Sequence, residues 1–370
     1  MSESRRNRIR IQALCLGALL MLLLPFLLDD FWLQLGLFAM GYAVGAIGLT
    51  ILIGTAGQLS LAHAFFVAFG AYSYCFLTAP ASSTAGGLAG LGLSPIVGLV
   101  VGILLAGVAG ALFAPVASRL RGIYLGLASL ALVFIGQYLL LNLTSITGGH
   151  GGRIVEPFAI AGFSFSDFDP TGLQIAGVAF GGLHRNWYLF LGLLALAAVI
   201  GIRITGSRSG RAMMMVRDSE PAAGALGIDV PRVKIVAFTI SSMYAGGCGV
   251  MLALAFGSIV PDSFSLAMSV SFLVMVVVGG AGRISGAVVG AAFVSMLPLV
   301  LTRYSGSIPF LAEAGGSGFG ASQLSQTIFG LAVIAALLMR HRRSNTRPRS
   351  TVRTEADSNT STTPQGRLSS

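Results

Sequence analysis

Side chains that could take part in chemistry are few and widely separated in this chain of 370 residues. A metal site needs ligands at short, regular spacing, and a nucleophilic site needs a base close to the nucleophile. The histidines and cysteines show neither pattern; they are His63, His150, His184, His341, Cys15, Cys75 and Cys248. We therefore predict neither an enzyme nor a metal site, and we interpret the cysteines as packing residues.

The lysine content bears on nucleotide chemistry. A P-loop needs a lysine that reaches the phosphates. The sequence has a single lysine, Lys234, and it lies in the segment VPRVKIVAF. We predict that this chain alone does not hydrolyse ATP, so any nucleotide energy has to come from another subunit.

Most of the chain consists of apolar segments, and these segments must position the few reactive side chains. Hydrophobic residues account for 55% of the chain, charged residues for 10%, and the mean hydropathy is +0.84; soluble domains have roughly 25% charged residues. A hydrocarbon core of about 30 Å requires about 20 apolar helical residues. We predict an all-α, polytopic transmembrane helical bundle over residues 12–339, after a cytoplasmic segment at 1–11. Its ten spans lie near residues 12–28, 31–54, 61–79, 95–117, 122–143, 187–205, 233–256, 267–282, 285–301 and 324–339.

The basic residues indicate the topology of these spans. With the N-terminus inside, three of the 23 basic residues lie outside, Arg153, Arg185 and Arg303, and the other 20 lie inside. This is the positive-inside pattern for ten spans with both termini cytoplasmic. The net charge is +10, and the basic residues lie between apolar runs instead of forming one hydrated surface. We therefore predict a bilayer environment and no nucleic-acid partner.

Carboxylates are absent from the middle of every predicted span. Proton- and ion-coupled carriers usually place an ionisable group at membrane depth. A self-sufficient secondary carrier or channel is therefore the less favoured class of transport protein, although it stays open.

The longest polar interruption in the second half is the loop at residues 206–232. Within it, Ser219 or Glu220 can cap a short helix that has Pro221 in its first turn, and Gly227 suits the left-handed stop. We predict a short cytoplasmic helix that fits a groove on another protein. The alternative is an ordinary basic loop that anchors the topology.

Two glycine-rich turns adjoin the spans. Irregular backbone near a membrane needs polar partners, and we predict that these turns shape a translocation path. The residues concerned are Gly57, Gln58, Ser60, His63, Gly279, Gly280 and Gly282. The alternative is a pair of plain turns, with His63 as a packing residue close to the cytoplasmic end of its span.

Two further segments lie outside the spans. The external loop at residues 144–186 contains TGGHGG at 147–152, and it is predicted either as a lid or partner site or as a glycine-rich surface loop. The tail at residues 340–370 has almost no large apolar side chain, so we predict that it is disordered.

Several blocks resemble one transporter family. They are GTAGQLSLAHAFFVAFGAY, RGIYLGLASLAL, TGGHGG, RDSEPAAGALGIDVPRVKIVAF, AGGCGVMLALAFGSIVPDSFSL and LVMVVVGGAGRISGAVVGAAF. In this order they are similar to the M-type permease of branched-chain amino acid ABC importers. The resemblance covers roughly residues 40–340. One departure is the ending LLMRHRRSN, where the family often has an apolar-Pro-Arg-Gly ending.

The resemblance implies a permease subunit in the bacterial inner membrane that binds no cofactor itself. Its implied partners are a homologous second permease, two ATP-binding subunits that use ATP, and a periplasmic substrate-binding protein. The A-A-x-x-x-G pattern of ABC permease loops implies a coupling helix whose residues are Arg217, Glu220, Pro221, Ala222, Ala223 and Gly227. The implied substrate is a branched-chain amino acid, and permeases of this type for urea, short-chain amides or other amino acids stay open as alternatives.

Overall fold

A computed structural model describes residues 17, 20–81, 88–120, 122–160, 163–166, 174–175, 178–179, 181–305 and 321–345. Its helices are α1 (Asp30–Thr50), α2 (His63–Thr78), α3 (Pro95–Arg119), α4 (Ile123–Asn142), α5 (Thr144–Thr147), α6 (Gly182–Gly206), α7 (Arg208–Asp218), α8 (Glu220–Ala225), α9 (Val230–Phe256), α10 (Leu266–Gly279), α11 (Ile284–Arg303) and α12 (Ala321–Asn345). The chain is thus an all-α, polytopic membrane protein.

Helices α1 and α9 form the centre of the bundle. Helix α1 continues through a π-helical turn, Ile51–Thr55, and packs against α6, α9 and α11. Helix α9 packs against α1, α2 and α3. Both central helices are apolar on every side and largely buried, as expected of helices enclosed by other helices.

Small residues allow the central helices to approach closely. A Cβ atom at Gly70 of α2 would collide with the backbone of Gly246 in α9, and a Cβ atom at Gly246 would collide with Ala106 of α3. Close backbone contact between small residues is the usual way in which membrane helices associate, because burial of apolar side chains gains little in lipid. These three positions therefore fix the α2–α9–α3 packing.

Helices cover nine of the ten predicted spans. Three of these nine helices are shorter than a membrane-crossing helix. Six helices are long and apolar enough to cross a membrane, whereas His63–Thr78, Leu266–Gly279 and the segment Gln323–Ala336 are shorter apolar helices. Of the predicted first span, 12–28, the structure describes residue 17 and residues 20–28, which include a short 3-10 helix, Leu24–Phe26. The number of spans and the side of the termini stay predictions.

One end of the bundle is closed by short strands and by Arg153, and we call it the Arg153 end. Strand β1 (Arg153–Ile154) pairs antiparallel with β6 (Ser258–Ile259). The Arg153 side chain is buried, and its guanidinium donates to the carbonyl oxygens of Ile146 (2.6 Å), Leu88 (3.1 Å) and Ala89 (2.8 Å). A buried arginine with several carbonyl partners ties together segments that are distant in sequence.

The rest of the external loop contains short strands in its described parts. Hairpin β2–β3 (Ala159–Ile160 and Phe163–Ser164) is held to the start of α6 by the Arg185 side chain, whose Nη1 donates to the Ser164 carbonyl oxygen at 2.8 Å. Strands β4 (Gln174–Ile175) and β5 (Val178–Ala179) pair with each other. Helix α6 begins at Gly182, five residues before the predicted span. A lid or partner role for this loop stays a prediction.

The C-terminal boundary differs from the predicted one. Helix α12 continues to Asn345, so the predicted start of the disordered tail at residue 340 lies inside this helix. The apolar part of α12 ends earlier, at Ala336, and the predicted boundary follows this loss of hydrophobicity instead of the end of the helix. Residues 346–370, the segment 1–11 and Cys15 lie outside the described residues, whereas Cys75 and Cys248 are buried free thiols, as predicted.

Candidate coupling site

The loop at 206–232 folds into two consecutive helices, α7 and α8. Helix α7 begins after Ser207, whose hydroxyl accepts a hydrogen bond from the Gly210 backbone amide at 3.2 Å. It buries Met213 and Val216 against the bundle. Helix α7 was not among the predicted elements, although the cap at Ser207 and the apolar side chains three residues apart indicate a helix.

Helix α8 is the short helix predicted around Glu220. Its cap is Ser219, whose hydroxyl accepts from the Ala222 amide at 3.4 Å, and Pro221 lies in the first turn. After the helix, Gly227 adopts φ +80°, which a glycine does without strain. The backbone amide of the next residue, Ile228, donates to the Ala223 carbonyl oxygen at 3.1 Å. This hydrogen bond closes the C-terminal end of the helix.

One side of α8 faces the bundle and the other is open. Ala223 is buried, whereas Pro221, Ala222 and Ala225 are exposed and Leu226 is 73% exposed. An exposed leucine on a short helix of small residues makes an apolar surface with little side-chain entropy to lose on binding. This arrangement suits contact with another protein.

An ion pair fixes α8 to α9. The Lys234 Nζ lies 2.6 Å from the Glu220 Oε1, and the Lys234 side chain is only 6% exposed. The start of α9 is capped by Asp229, whose carboxylate accepts from the Arg232 amide at 3.1 Å. Lys234, which in the sequence is notable only as the single lysine, therefore anchors α8 to α9.

Arg217 connects this loop to the end of α1. Its Nη1 donates to the Gly54 carbonyl oxygen at 2.6 Å, and its Nη2 lies 2.8 Å from the Asp218 Oδ1. Gly57, at φ +70°, lies under the arginine stem, because a Cβ atom there would be 2.6 Å from the Arg217 Cγ. The structure thus brings together Arg217 and Gly57, two residues that the sequence placed in different motifs.

The second glycine turn lies at the same end of the bundle. Gly280 and Gly282 have φ +90° and +91°, and a Cβ atom at Gly54 would collide with the Gly282 backbone. Gly279 packs on the Gly286 backbone of α11. We call this the Arg217 end; it contains Arg217, Gly54, Gly57 and the turn at 279–282.

The stretch between α1 and α2 is longer than the predicted turn, and we call residues 56–62 the break. The His63 Nε2 lies 3.0 Å from the Gly45 carbonyl oxygen, and Gly45 precedes Gly54 by about 14 Å of helix. The Ala64 amide donates to the Ser269 Oγ at 3.0 Å, about 15 Å before the end of α10. Both contacts place the start of α2 deep inside the bundle.

His63 is the first residue of α2, and its side chain is buried inside the bundle. It is 2% exposed and packs edge-on against Phe272, with ring centroids 4.7 Å apart. Its position close to the cytoplasmic end of the span stays a prediction. The packing role that was the alternative for His63 agrees with this environment.

Polar groups within the break have specific partners. The Leu61 amide donates to the Ser129 Oγ at 2.8 Å, and the Ala62 amide donates to the Ser60 Oγ at 3.2 Å. Gln58 is 4% exposed, and its side-chain amide has no hydrogen-bond partner in the described part of the chain. Ser129 and Ser269 carried no signal in the sequence, because nothing there brings α4 or α10 to the break.

Comparisons with known proteins agree with the pattern of motifs. The family described as "Branched-chain amino acid transport system / permease component" matches residues 32–339. The chain is 34% identical over 307 residues to the high-affinity branched-chain amino acid transport system permease protein LivM of Escherichia coli (strain K12), a match that covers 79% of this chain and 69% of that protein. No solved structure matches the chain.

Two further relatives carry related names. The LivM protein of Salmonella typhimurium, named as the Escherichia coli protein is, is 33% identical over 286 residues, which is 73% of this chain and 64% of that protein. A probable branched-chain amino acid transport permease protein LivM of Methanocaldococcus jannaschii is 27% identical over 258 residues, 66% of this chain and 68% of that protein. With the family match spanning most of its length, this chain belongs to the family of permease components of branched-chain amino acid transport systems.

Proposed function

We propose that this chain is a permease subunit of an ABC importer in the bacterial inner membrane. It translocates branched-chain amino acids that a periplasmic binding protein delivers. Two separate ATP-binding subunits supply the energy, and a homologous second permease forms the other half of the pathway. The family membership and the names of the relatives support this assignment.

The observation that carries the proposal is the exposed apolar side of α8, which is held in place at one end of the bundle. This helix is capped at both ends, anchored through Glu220 to the buried Lys234, and open on the side that bears Leu226. A rigid, small, apolar helix at one end of a membrane bundle fits a groove on a soluble partner. We assign this partner as the ATP-binding subunit.

The charge distribution supports a cytoplasmic location for the Arg217 end. Basic residues cluster at this end, where Arg119, Arg203, Arg208, Arg211, Arg217, Arg232 and Arg283 lie in loops or in the first or last turns of helices. Arg153, Arg185 and Arg303 lie at the opposite end. The positive-inside rule then supports ten spans with both termini in the cytoplasm.

The break is the proposed wall of the translocation path. Irregular backbone deep in a membrane protein is tolerated where it is buried in protein or lines an aqueous cavity. Leu59 in the break is 41% exposed, and it lies beside Gly126 of α4, a helix with a largely exposed surface. We place the second permease against this surface, so that Gly57, Gln58 and Ser60 adjoin the shared path.

Reconstitution in proteoliposomes tests the assignment. The complete complex of this chain, the second permease, both ATP-binding subunits and the binding protein should take up labelled leucine only when ATP is supplied on the side of the ATP-binding subunits. Unlabelled isoleucine and valine should compete with leucine, and urea should not. Leucine uptake by the permeases without the ATP-binding subunits would contradict the proposal and favour a self-sufficient carrier.

A further inference from the structure

Arg217 occupies the junction between the coupling helix and the transmembrane bundle. It lies in the last turn of α7, and the backbone continues from it into α8 without a loose linker. The Ser219 amide donates to the Met215 carbonyl oxygen at 3.0 Å, and the Ala223 amide donates to the Ser219 carbonyl oxygen at 3.0 Å. A displacement of α8 therefore carries the end of α7, and with it Arg217.

The partner of Arg217 in the bundle is the end of the α1 helix. The Gly54 carbonyl oxygen, 2.6 Å from the Arg217 Nη1, belongs to the π-helical turn that ends α1. Carbonyl groups at a helix C-terminus lack partners inside the helix and carry partial negative charge, so they favour a cationic donor. Single π-helical turns also occur frequently at functional sites.

Two glycines leave the space that this contact needs. The arginine stem passes over Gly57, where a Cβ atom would be 2.6 Å from the Arg217 Cγ, and Gly54 itself touches the Gly282 backbone. The guanidinium is also held by its neighbour Asp218, through Nε at 2.9 Å and Nη2 at 2.8 Å. Both the stem and the guanidinium of Arg217 are therefore in contact with the end of α1, although the side chain is 39% exposed.

The break transmits any shift of this joint into the bundle. It begins directly after the π-helical turn and is hydrogen-bonded through Leu61 to Ser129 of α4. Directly after it, in the first turn of α2, the Ala64 amide donates to the Ser269 Oγ of α10. The stretch from Gly54 to Ala64 thus connects Arg217 with two other transmembrane helices.

From these contacts we infer that Arg217 is a positioning residue that transmits the movement of the coupling helix to the break. This inference rests on the proposed function and adds the element that α8 moves. When the ATP-binding subunits displace α8, the Arg217–Gly54 hydrogen bond shifts the end of α1. The break then moves relative to Ser129 and Ser269, and access to the path changes.

The first test compares Arg217→Gln with Arg217→Lys and with Arg232→Gln in the reconstituted complex. Arg232 is a matched control, because its side chain is 81% exposed and, within the described part of the chain, pairs with Asp229 at the start of its own helix. We expect Arg217→Gln to lower leucine uptake per ATP hydrolysed by at least tenfold, with ATP hydrolysis within twofold of the natural complex. Arg217→Lys should retain part of the uptake, and Arg232→Gln should retain nearly all of it. An unchanged ratio of uptake to hydrolysis in Arg217→Gln would overturn the inference.

The second test follows the break itself. Leu59→Cys is introduced in a background in which Cys15, Cys75 and Cys248 are replaced by alanine, and its labelling by a thiol reagent is timed without nucleotide and after vanadate trapping. We expect the labelling rate to differ between the two states with Arg217 present, and to be the same in both states with Arg217→Gln. A difference that persists in Arg217→Gln would overturn the inference.

Two controls separate this inference from the proposed function. If the natural complex shows no ATP-dependent uptake, the importer assignment itself is wrong. If the natural complex transports and Arg217→Gln loses its ATP-binding subunits on purification, Arg217 acts in docking, and transmission is overturned while the importer assignment holds.

Discussion

At the scale of single residues, the pair of Lys234 and Glu220 determines where α8 lies against α9. The Lys234 ammonium is nearly buried, and the Glu220 side chain is 24% exposed, with 2.6 Å between Nζ and Oε1. Charges in such surroundings are stable only when paired, because burial removes their hydration. Arg217 has a different character, since its side chain is 39% exposed and its main partner is a backbone carbonyl group.

Replacing Lys234 by methionine should destabilise the protein, because it leaves the Glu220 carboxylate without its counter-charge. Breaking a buried pair costs roughly 3–5 kcal/mol, and we expect the lower end of this range because Glu220 is partly exposed. Thermal unfolding is measured with a thiol-reactive fluorescent dye, which reports exposure of the buried Cys75 and Cys248.

The double variant Glu220→Gln/Lys234→Met provides the internal control. It removes both charges and should recover much of the stability that Lys234→Met loses. Arg232→Met, at an exposed position, should unfold as the natural protein does. A double variant as unstable as Lys234→Met would show that the ion pair does not anchor α8.

At the scale of elements, the shape of α8 depends on its two ends. The Ser219 cap and Pro221 begin the helix, and Gly227 ends it with positive φ. These positions were recognisable in the sequence because caps and stops depend on one or two local residues. The contact between the start of α2 and α10 was not, since it joins Ala64 to Ser269 across more than 200 residues.

Gly227→Val should abolish most of the ATP-coupled uptake. A β-branched side chain at φ +80° is strained by about 1–3 kcal/mol, so α8 would lose its stop and its presentation to the partner. Gly227→Asn should retain more uptake, because asparagine tolerates this backbone region. The measurement is leucine uptake in cells, normalised to the amount of chain found in the membrane fraction.

Gly224→Ala is the matched control for this variant. Gly224 lies inside α8, and a Cβ atom there would meet nothing within 4 Å. We therefore expect normal uptake with Gly224→Ala. Equal uptake by Gly227→Val and Gly224→Ala would remove the coupling role from the end of α8.

At the scale of the whole molecule, the bundle has two chemically different ends. The Arg217 end joins α7, α8, the π-helical turn after α1 and the glycine turn at 279–282. The Arg153 end is closed by the β1–β6 pair and by the buried Arg153. The bundle therefore offers two separate surfaces, as the proposed importer would need for energy input and for substrate delivery.

Cysteine labelling in intact spheroplasts should confirm the orientation of these ends. Ser209→Cys, exposed at the Arg217 end, should react with a membrane-impermeant thiol reagent only after permeabilisation. Ile154→Cys, at a position that is 70% exposed at the Arg153 end, should react without it. The background lacks the natural cysteines, and the reverse labelling pattern would invert the proposed topology.

The sequence by itself determined the membrane-embedded helical fold, the polar loop at 206–232 and the capped helix within it. These features follow from composition and from local residue patterns, which depend on neighbours a few positions apart. The tertiary structure alone decided that Arg217 binds Gly54 and that Lys234 anchors Glu220. It also decided that the break is hydrogen-bonded to Ser129 and the start of α2 to Ser269 inside the bundle. Such contacts arise when helices distant in sequence pack together, and no local pattern encodes which backbone carbonyl group or serine will lie opposite.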